Sequence, residues 1–240
     1  MLNENDLIVQ LKVRVLGKAT PAKDAVVFGD MYLVDGAYAI KCVEFGCENV
    51  LLIDTLETAK WAESRRAYPQ INFYKGDFSN ALFMKSFTQT YEMGVCFDVL
   101  LHQAPLIHTL HLMLEKVERS FCIVQPVLRE QRFKNTLIYL PGSPHDAELY
   151  PLSARDGERQ VFDLYEVNHS RWIWAMTPSF IDSALKGEGF EIDYQETLCP
   201  LPNDNWLWWG CVARRVAERP KAHHWSNYRT NKELYVGDWA

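Results

Sequence analysis

Three aspartates each stand just past an apolar, strand-like run. Asp30 follows Ala25–Gly29 (AVVFG), Asp54 closes Asn49–Asp54 (NVLLID), and Asp77 follows Ile71–Lys75 (INFYK). An ionised carboxylate is a pure hydrogen-bond acceptor with room for more than one donor. At the end of a second parallel strand it can take both hydroxyls of a ribose, and Asp54 stands there, with Thr55 and Leu56 beside it to line the edge of a base. Asp54 also suits a helix N-cap, and the two roles are compatible. Two histidines, His102 and His108, lie on either side of Gln103-Ala-Pro-Leu-Ile107, just after a fourth apolar run. An imidazole titrates near neutrality and can accept a proton from a hydroxyl, so these are the candidate bases; a structural hydrogen bond is the competing role for either. His111 shares a helix face with His108, but the sequence identifies no further ligand, and no metal site is expected.

Such residues act together only if strand ends are brought to one edge, and the order of elements provides for that. After the strand Ala25–Gly29, Gly36–Phe45 reads as a helix closed by Gly46, followed by the strand Asn49–Asp54. A charged helix from Leu56 to about Ala67 is ended by Pro69, and Ile71–Lys75 is the third strand. A helix around Ser79 to Tyr91 leads to the strand Val95–Leu101; Pro105 opens a helix continuing through Leu106–Val117, and Phe121–Val127 is a fifth strand. Strands separated by helices imply crossovers, a parallel sheet and helices on both faces.

From Arg129 to about Arg171 the pattern breaks into an irregular stretch, expected to be a lid or binding insertion. Thr177-Pro178 then starts a helix running to Gly187–Gly189, and Glu191–Leu198 and Leu207–Arg215 are strands close enough in sequence to pair antiparallel. Alternation puts Trp206 and Trp208 on one face of the last strand and Trp209 on the other. Residues 1–216 are thus read as one α/β domain, a Rossmann-like three-layer fold with a mostly parallel seven-stranded sheet closed by an antiparallel pair; residues 217–240 form a polar, aromatic tail.

The 240 residues are 48% hydrophobic with a formal net charge of −6, ample for a core and without the basic stripe of a nucleic-acid partner. No segment reads as a signal peptide, and none approaches the roughly 20 apolar residues that cross a bilayer. The six cysteines form no C-x-x-C pair and read as reduced core thiols, which points to the cytoplasm. The covered pocket implied by the insertion suits a small-molecule partner; self-association stays open.

Three segments carry a resemblance. Gly36-Ala-Tyr-Ala-Ile-Lys-Cys-Val-Glu-Phe-Gly-Cys-Glu-Asn-Val-Leu-Leu-Ile-Asp54, Phe97-Asp-Val-Leu-Leu-His-Gln-Ala-Pro-Leu-Ile-His108, and Trp172-Ile-Trp-Ala-Met-Thr-Pro-Ser with the later Gly187-Glu-Gly-Phe190 resemble, in order and spacing, the class I S-adenosylmethionine (SAM)-dependent methyltransferases. The resemblance spans about Ala25 to Arg215. It implies SAM as cofactor, Asp54 on the ribose, Asp77 accepting from the adenine amino group, Phe78 packing on the ring, and transfer to a hydroxyl or amine of a small molecule. Asp77 is equally suited to a turn or cap. Trp172 and Trp174 would wall the substrate side, and Arg129, Arg132 and Lys134 would meet an anionic substrate or form a solvated face.

The first loop departs from the family. Aligning Gly36 with the last glycine of the usual motif puts Asp30 at its acidic position, but Tyr32 and Val34 where two glycines are expected. Three outcomes follow: a rebuilt loop that holds SAM differently, another ligand in the same cleft, or a fold kept for binding or regulation without catalysis. A nicotinamide dehydrogenase is disfavoured by the closing antiparallel pair and the broken glycine pattern.

Overall fold

In a computed structural model, residues 2–103, 105–130, 134–139, 174–199 and 206–216 are described. The chain begins with a helix the sequence reading did not anticipate, α1 (Leu7–Ala19), capped by Asp6, whose carboxylate accepts from the Ile8 and Val9 amides. Leu11, Val15, Leu16 and Ala19 recur at helical spacing and are buried. Then come β1 (Asp24–Phe28), α2 (Ala37–Glu44), β2 (Asn49–Asp54), α3 (Ala59–Ser64, extended by a 3-10 turn), β3 (Ile71–Lys75), α4 (Ala81–Ser86), β4 (Tyr91–Phe97), α5 (Leu106–Leu114) and β5 (Val117–Leu128). The described part ends with β6 (Leu137–Tyr139), β7 (Trp174–Met176), α6 (Pro178–Gly187), β8 (Phe190–Leu198) and β9 (Trp206–Arg215).

The main sheet has seven strands in the order β3-β2-β1-β4-β5-β9-β8. The pairs among β1 to β5 are parallel, and β9 joins β5 and β8 antiparallel. The strand order reverses beside β1, so a crevice opens at the carboxyl ends of β1 and β4. Along the strands, alternate residues feed two cores. Val26, Phe28, Leu51, Ile53 and Ile123 pack with α4, α5 and α6, while Val27, Leu52, Val95 and Val124 pack with α1, α2 and α3.

Several readings need correction, among them the helix expected from Ser79 to Tyr91, which is only α4. The fourth strand spans Tyr91–Phe97 and not Val95–Leu101, because Asp98 takes a left-handed backbone (φ 58°) and Leu100–His102 winds into a 3-10 turn. The stretch after Arg129 contains regular structure: β6 pairs antiparallel with β7. Trp206 and Trp208 do not share an environment. Trp208 packs with α1, whereas Trp206, at the start of β9 and opposite Leu128, joins the other core with Trp209. Residues 140–173 and 217–240, most of the expected insertion and all of the tail, lie outside the described residues. No described helix is long and apolar enough to cross a membrane. The six cysteines are free, five buried and Cys199 exposed.

Candidate functional site

Register sets the carboxyl edge. Phe28 pairs with Ile53 and with Cys96, so the chain leaves β1, β2 and β4 side by side, and Asp54 pairs with Lys75 at the end of β3. Asp30, Asp54, Asp77 and an unanticipated Asp98 all follow from those ends.

The first loop is closed over its own acid. Asp30 is buried (2% exposed), and its Oδ2 accepts the Ala39 amide at 2.8 Å. It thereby caps α2 from outside, where the preceding Gly36 (φ 77°) offers no side chain. Burial pushes the Asp30 carboxyl up to about 8, against the opposing pull of the Ala39 and Tyr38 amides and the Lys12 charge. Its Oδ1 has no hydrogen-bond partner among the described residues. The Gly36 amide returns to the Asp30 carbonyl at 2.6 Å and the Asp35 amide to the Met31 carbonyl at 3.1 Å, drawing the loop into a tight turn. Leu33 (φ 64°) and Asp35 (φ 52°) take left-handed backbones without being glycine, at a cost of about 1–2 kcal/mol each. Lys60 of α3 braces the turn through Asp35 at 2.9 Å. Gly36 is constrained further, since a Cβ there would lie 2.5 Å from the Trp61 ring. Met31 is fully buried, while Tyr32 is 47% and Leu33 83% exposed at the tip.

Asp54 is brought directly against this loop. Its Oδ2 accepts the Met31 amide and its Oδ1 the Leu56 amide, both at 2.9 Å. Asp54 does not cap α3, whose N-cap is Thr58 with its hydroxyl accepting the Trp61 amide; the Leu56 bond is a local side-chain turn. Thr55 and Leu56 are half-buried beside it. Asp77 is exposed and accepts the Ser79 amide at 2.8 Å, an ordinary side-chain turn. Phe78 is 5% exposed with its ring edge-on to Phe28, 5.9 Å between centroids, so it floors the edge of the sheet more than it stands open.

The histidines separate. His102 closes the 3-10 turn after β4, half-buried, and Trp174 of β7 packs there, its indole N–H donating to the Gln103 carbonyl at 2.7 Å. His108 is exposed on α5. His111 is held by Glu188 at 2.9 Å and lies 3.7 Å from Glu115, so it serves the α5–α6 contact. No group of three or more metal-ligating side chains occurs among the described residues. Arg129 is half-buried and Lys134 exposed; Arg132 and Trp172 lie outside the described residues.

Sequence reasoning missed Lys12, Tyr38, Asp98 and Gln125. Lys12 of α1 is buried and pairs with Asp98. Asp98, directly after an apolar strand, carried the same signal as Asp54. Lys12 was hidden because α1 was not read as a helix. Gln125 is fully buried in β5, its amide 3.0 Å from the Met176 sulfur.

No family model matches this chain, and no curated protein does. Solved structures match over most of its length at low identity. The Burkholderia thailandensis 1,6-didemethyltoxoflavin N1-methyltransferase, with its substrate and S-adenosylhomocysteine, is 14% identical, with a TM-score of 0.56 over 89% of this chain and 80% of that one. Coclaurine N-methyltransferase, bound to N-methylheliamine and S-adenosylhomocysteine, is 8% identical with a TM-score of 0.60 over 89% and 75%. The cyclase SpnF is 10% identical with a TM-score of 0.58 over 85% and 80%. Strand order, the antiparallel closing pair and these likenesses agree: the chain has the fold of the class I SAM-dependent methyltransferases.

Proposed function

We propose that this protein is a SAM-dependent methyltransferase acting on a hydroxyl or amine of a small molecule. The observation that carries this reading is the capping of α2 by Asp30 at the switch point of the sheet. Dinucleotides place a pyrophosphate on the amides of that helix N-terminus. Here Asp30 takes the Ala39 amide there, so that amide is already occupied by the chain's own side chain. The edge offers acids instead, at Asp54 and Asp77, which suit a nucleoside that lacks phosphate and carries positive charge. SAM is such a molecule, and its ribose hydroxyls and adenine amino group are donors that carboxylates can accept.

Asp54 would take the ribose hydroxyls, with Thr55 and Leu56 along the base, Asp77 at the adenine amino group and Phe78 beneath. Tyr32 and Gly36 would border the methionine end. When bound, the cofactor supplies a methyl group on a positively charged sulfur, open to in-line attack by the acceptor. Proximity accounts for much of such a rate, and a base helps a hydroxyl acceptor. His102, beside Trp174, and the exposed His108 are the bases this reading offers. One domain over residues 1–216 with a covering segment at about 129–171, working in the cytoplasm, completes it.

A second reading has its own observation. Tyr32 and Val34 replace glycines, and the Met31 amide already occupies one oxygen of Asp54, as in a fold kept for binding or regulation. SpnF, a cyclase, shares the fold, so fold alone does not choose the chemistry. Calorimetric titration with SAM and with S-adenosylhomocysteine separates the two. Micromolar binding of both is expected; no heat with either, from protein free of copurified nucleoside, overturns the methyltransferase reading.

A further inference from the structure

Beneath the first loop lies a set of buried polar groups that methyl transfer does not use. Phe28 pairs with Cys96, and Asp30 and Asp98 each lie two residues beyond, so these acids leave adjacent parallel strands together. Among the described residues a single ammonium, that of Lys12, serves this pair. Lys12 reaches in from α1 with its side chain 8% exposed, bonds Asp98 Oδ2, and lies 5.2 Å from the Tyr38 ring and 5.6 Å from that of Trp208 on β9. Asp30 Oδ1, Asp98 Oδ1 and the Tyr38 hydroxyl are buried without partners among the described residues. The further charges that face this group are Asp54 from the end of β2, acting on Asp30, and Asp6 from the start of α1, acting on Tyr38. Asp30 is buried whereas the Asp98 side chain is 32% exposed, so with the ammonium bonded to Asp98 it is Asp30 that is the costlier of the two to ionise.

We propose that Lys12 is the positioning residue of the first loop: its charge is committed to Asp98, which leaves Asp30 a protonated cap on α2, and loss of that proton draws the ammonium toward Asp30 and loosens the loop. The idea does not depend on which ligand the cleft takes. The proton passes from the Asp30 carboxyl to solvent. Residue 30 is where loosening would begin, because the Gly36 amide, the Ala39 amide and, one residue on, the Met31 link to Asp54 all hang on it. The left-handed residues Leu33 and Asp35 are held in place by those bonds.

Burial holds the folded Asp30 carboxyl up near 8, far above an unfolded value of about 3.9. Between the two, the folded chain keeps a proton that the unfolded chain has lost. Stability from this group is therefore complete in acid, falls as pH rises through that window, and levels off above it.

The test is denaturant unfolding of the full chain from pH 5 to 9, followed by tryptophan fluorescence, for the wild type, Asp30→Asn and Asp98→Asn. Relative to Asp30→Asn, the wild-type folding constant is expected to fall about tenfold per pH unit up to a midpoint near 8. Asp98→Asn frees Lys12 for Asp30, and asparagine tolerates the left-handed backbone there; the midpoint should drop by about one pH unit or more. Equal pH dependence in the wild type and Asp30→Asn overturns the proposal, as does an unmoved midpoint in Asp98→Asn. If Asp98→Asn does not fold, the comparison of wild type with Asp30→Asn decides.

Discussion

The loop at residues 30–36 and the turn at 75–79 do the same job in the chain, each carrying it from a parallel strand to a helix at the carboxyl edge. They are built oppositely. The turn at 75–79 is open, with Asp77 exposed and bonded within its own turn, and it leaves α4 to be capped by Asn80. The loop at 30–36 is dense: a buried acid caps its helix from a distance, Met31 is in the core, and two non-glycine residues take left-handed backbones. A solvated turn gains little from any one side chain. A braced loop can carry unfavourable backbone because many bonds hold it, and it then responds to the loss of any of them.

That contrast can be broken or sharpened by substitution. Gly36→Ala meets both a left-handed backbone and the Trp61 ring, and should lower stability by about 2–4 kcal/mol in chemical denaturation. Asp54→Ala strips a partner from two backbone amides, one of them the loop's tie to β2. It is expected to cost about 2 kcal/mol and to lower S-adenosylhomocysteine affinity at least about tenfold by calorimetry. A normal affinity would leave Asp54 a brace alone. Leu33→Gly removes strain from an 83% exposed side chain and should raise stability by up to about 1 kcal/mol; a loss would show that Leu33 contributes contacts. Asp77→Ala should change stability in chemical denaturation least, within about 0.5 kcal/mol, since its carboxylate is solvated. A large loss there would make the two segments alike.

Much of the scaffold was legible because strands and helices announce themselves by period. Asn49–Asp54 and Ile71–Lys75 were read to the residue, and the closing antiparallel pair followed from the short connection between two apolar runs. The misreadings have local causes. Val99, Leu100 and Leu101 are as apolar as a strand but are buried in a turn after Asp98, where periodicity cannot distinguish the two. The helix expected from Ser79 to Tyr91 is only Ala81–Ser86, because the chain after Phe87 is already extended toward β4. At the site, the positions of Asp30, Asp54 and Asp77 were visible as strand endings. What each acid bonds was not, because Ala39, Met31 and Lys12 reach them through the fold and not through neighbouring sequence.

Helix α1 adds a consequence of timing. Its seat is made by β4, β5 and the antiparallel strands β8 and β9: Arg14 pairs with Glu196, Arg214 bonds the Lys18 carbonyl, and Gly210 gives room to Val15. Contacts between residues 182 and 196 apart in sequence are among the slowest to form. During synthesis α1 is made well before β8 and β9, so part of the seat for its apolar face is missing until those strands follow. A nascent chain halted before β9 would therefore expose Leu11, Val15 and Leu16, and with them the buried ammonium of Lys12, to whatever holds unfinished chains in the cell.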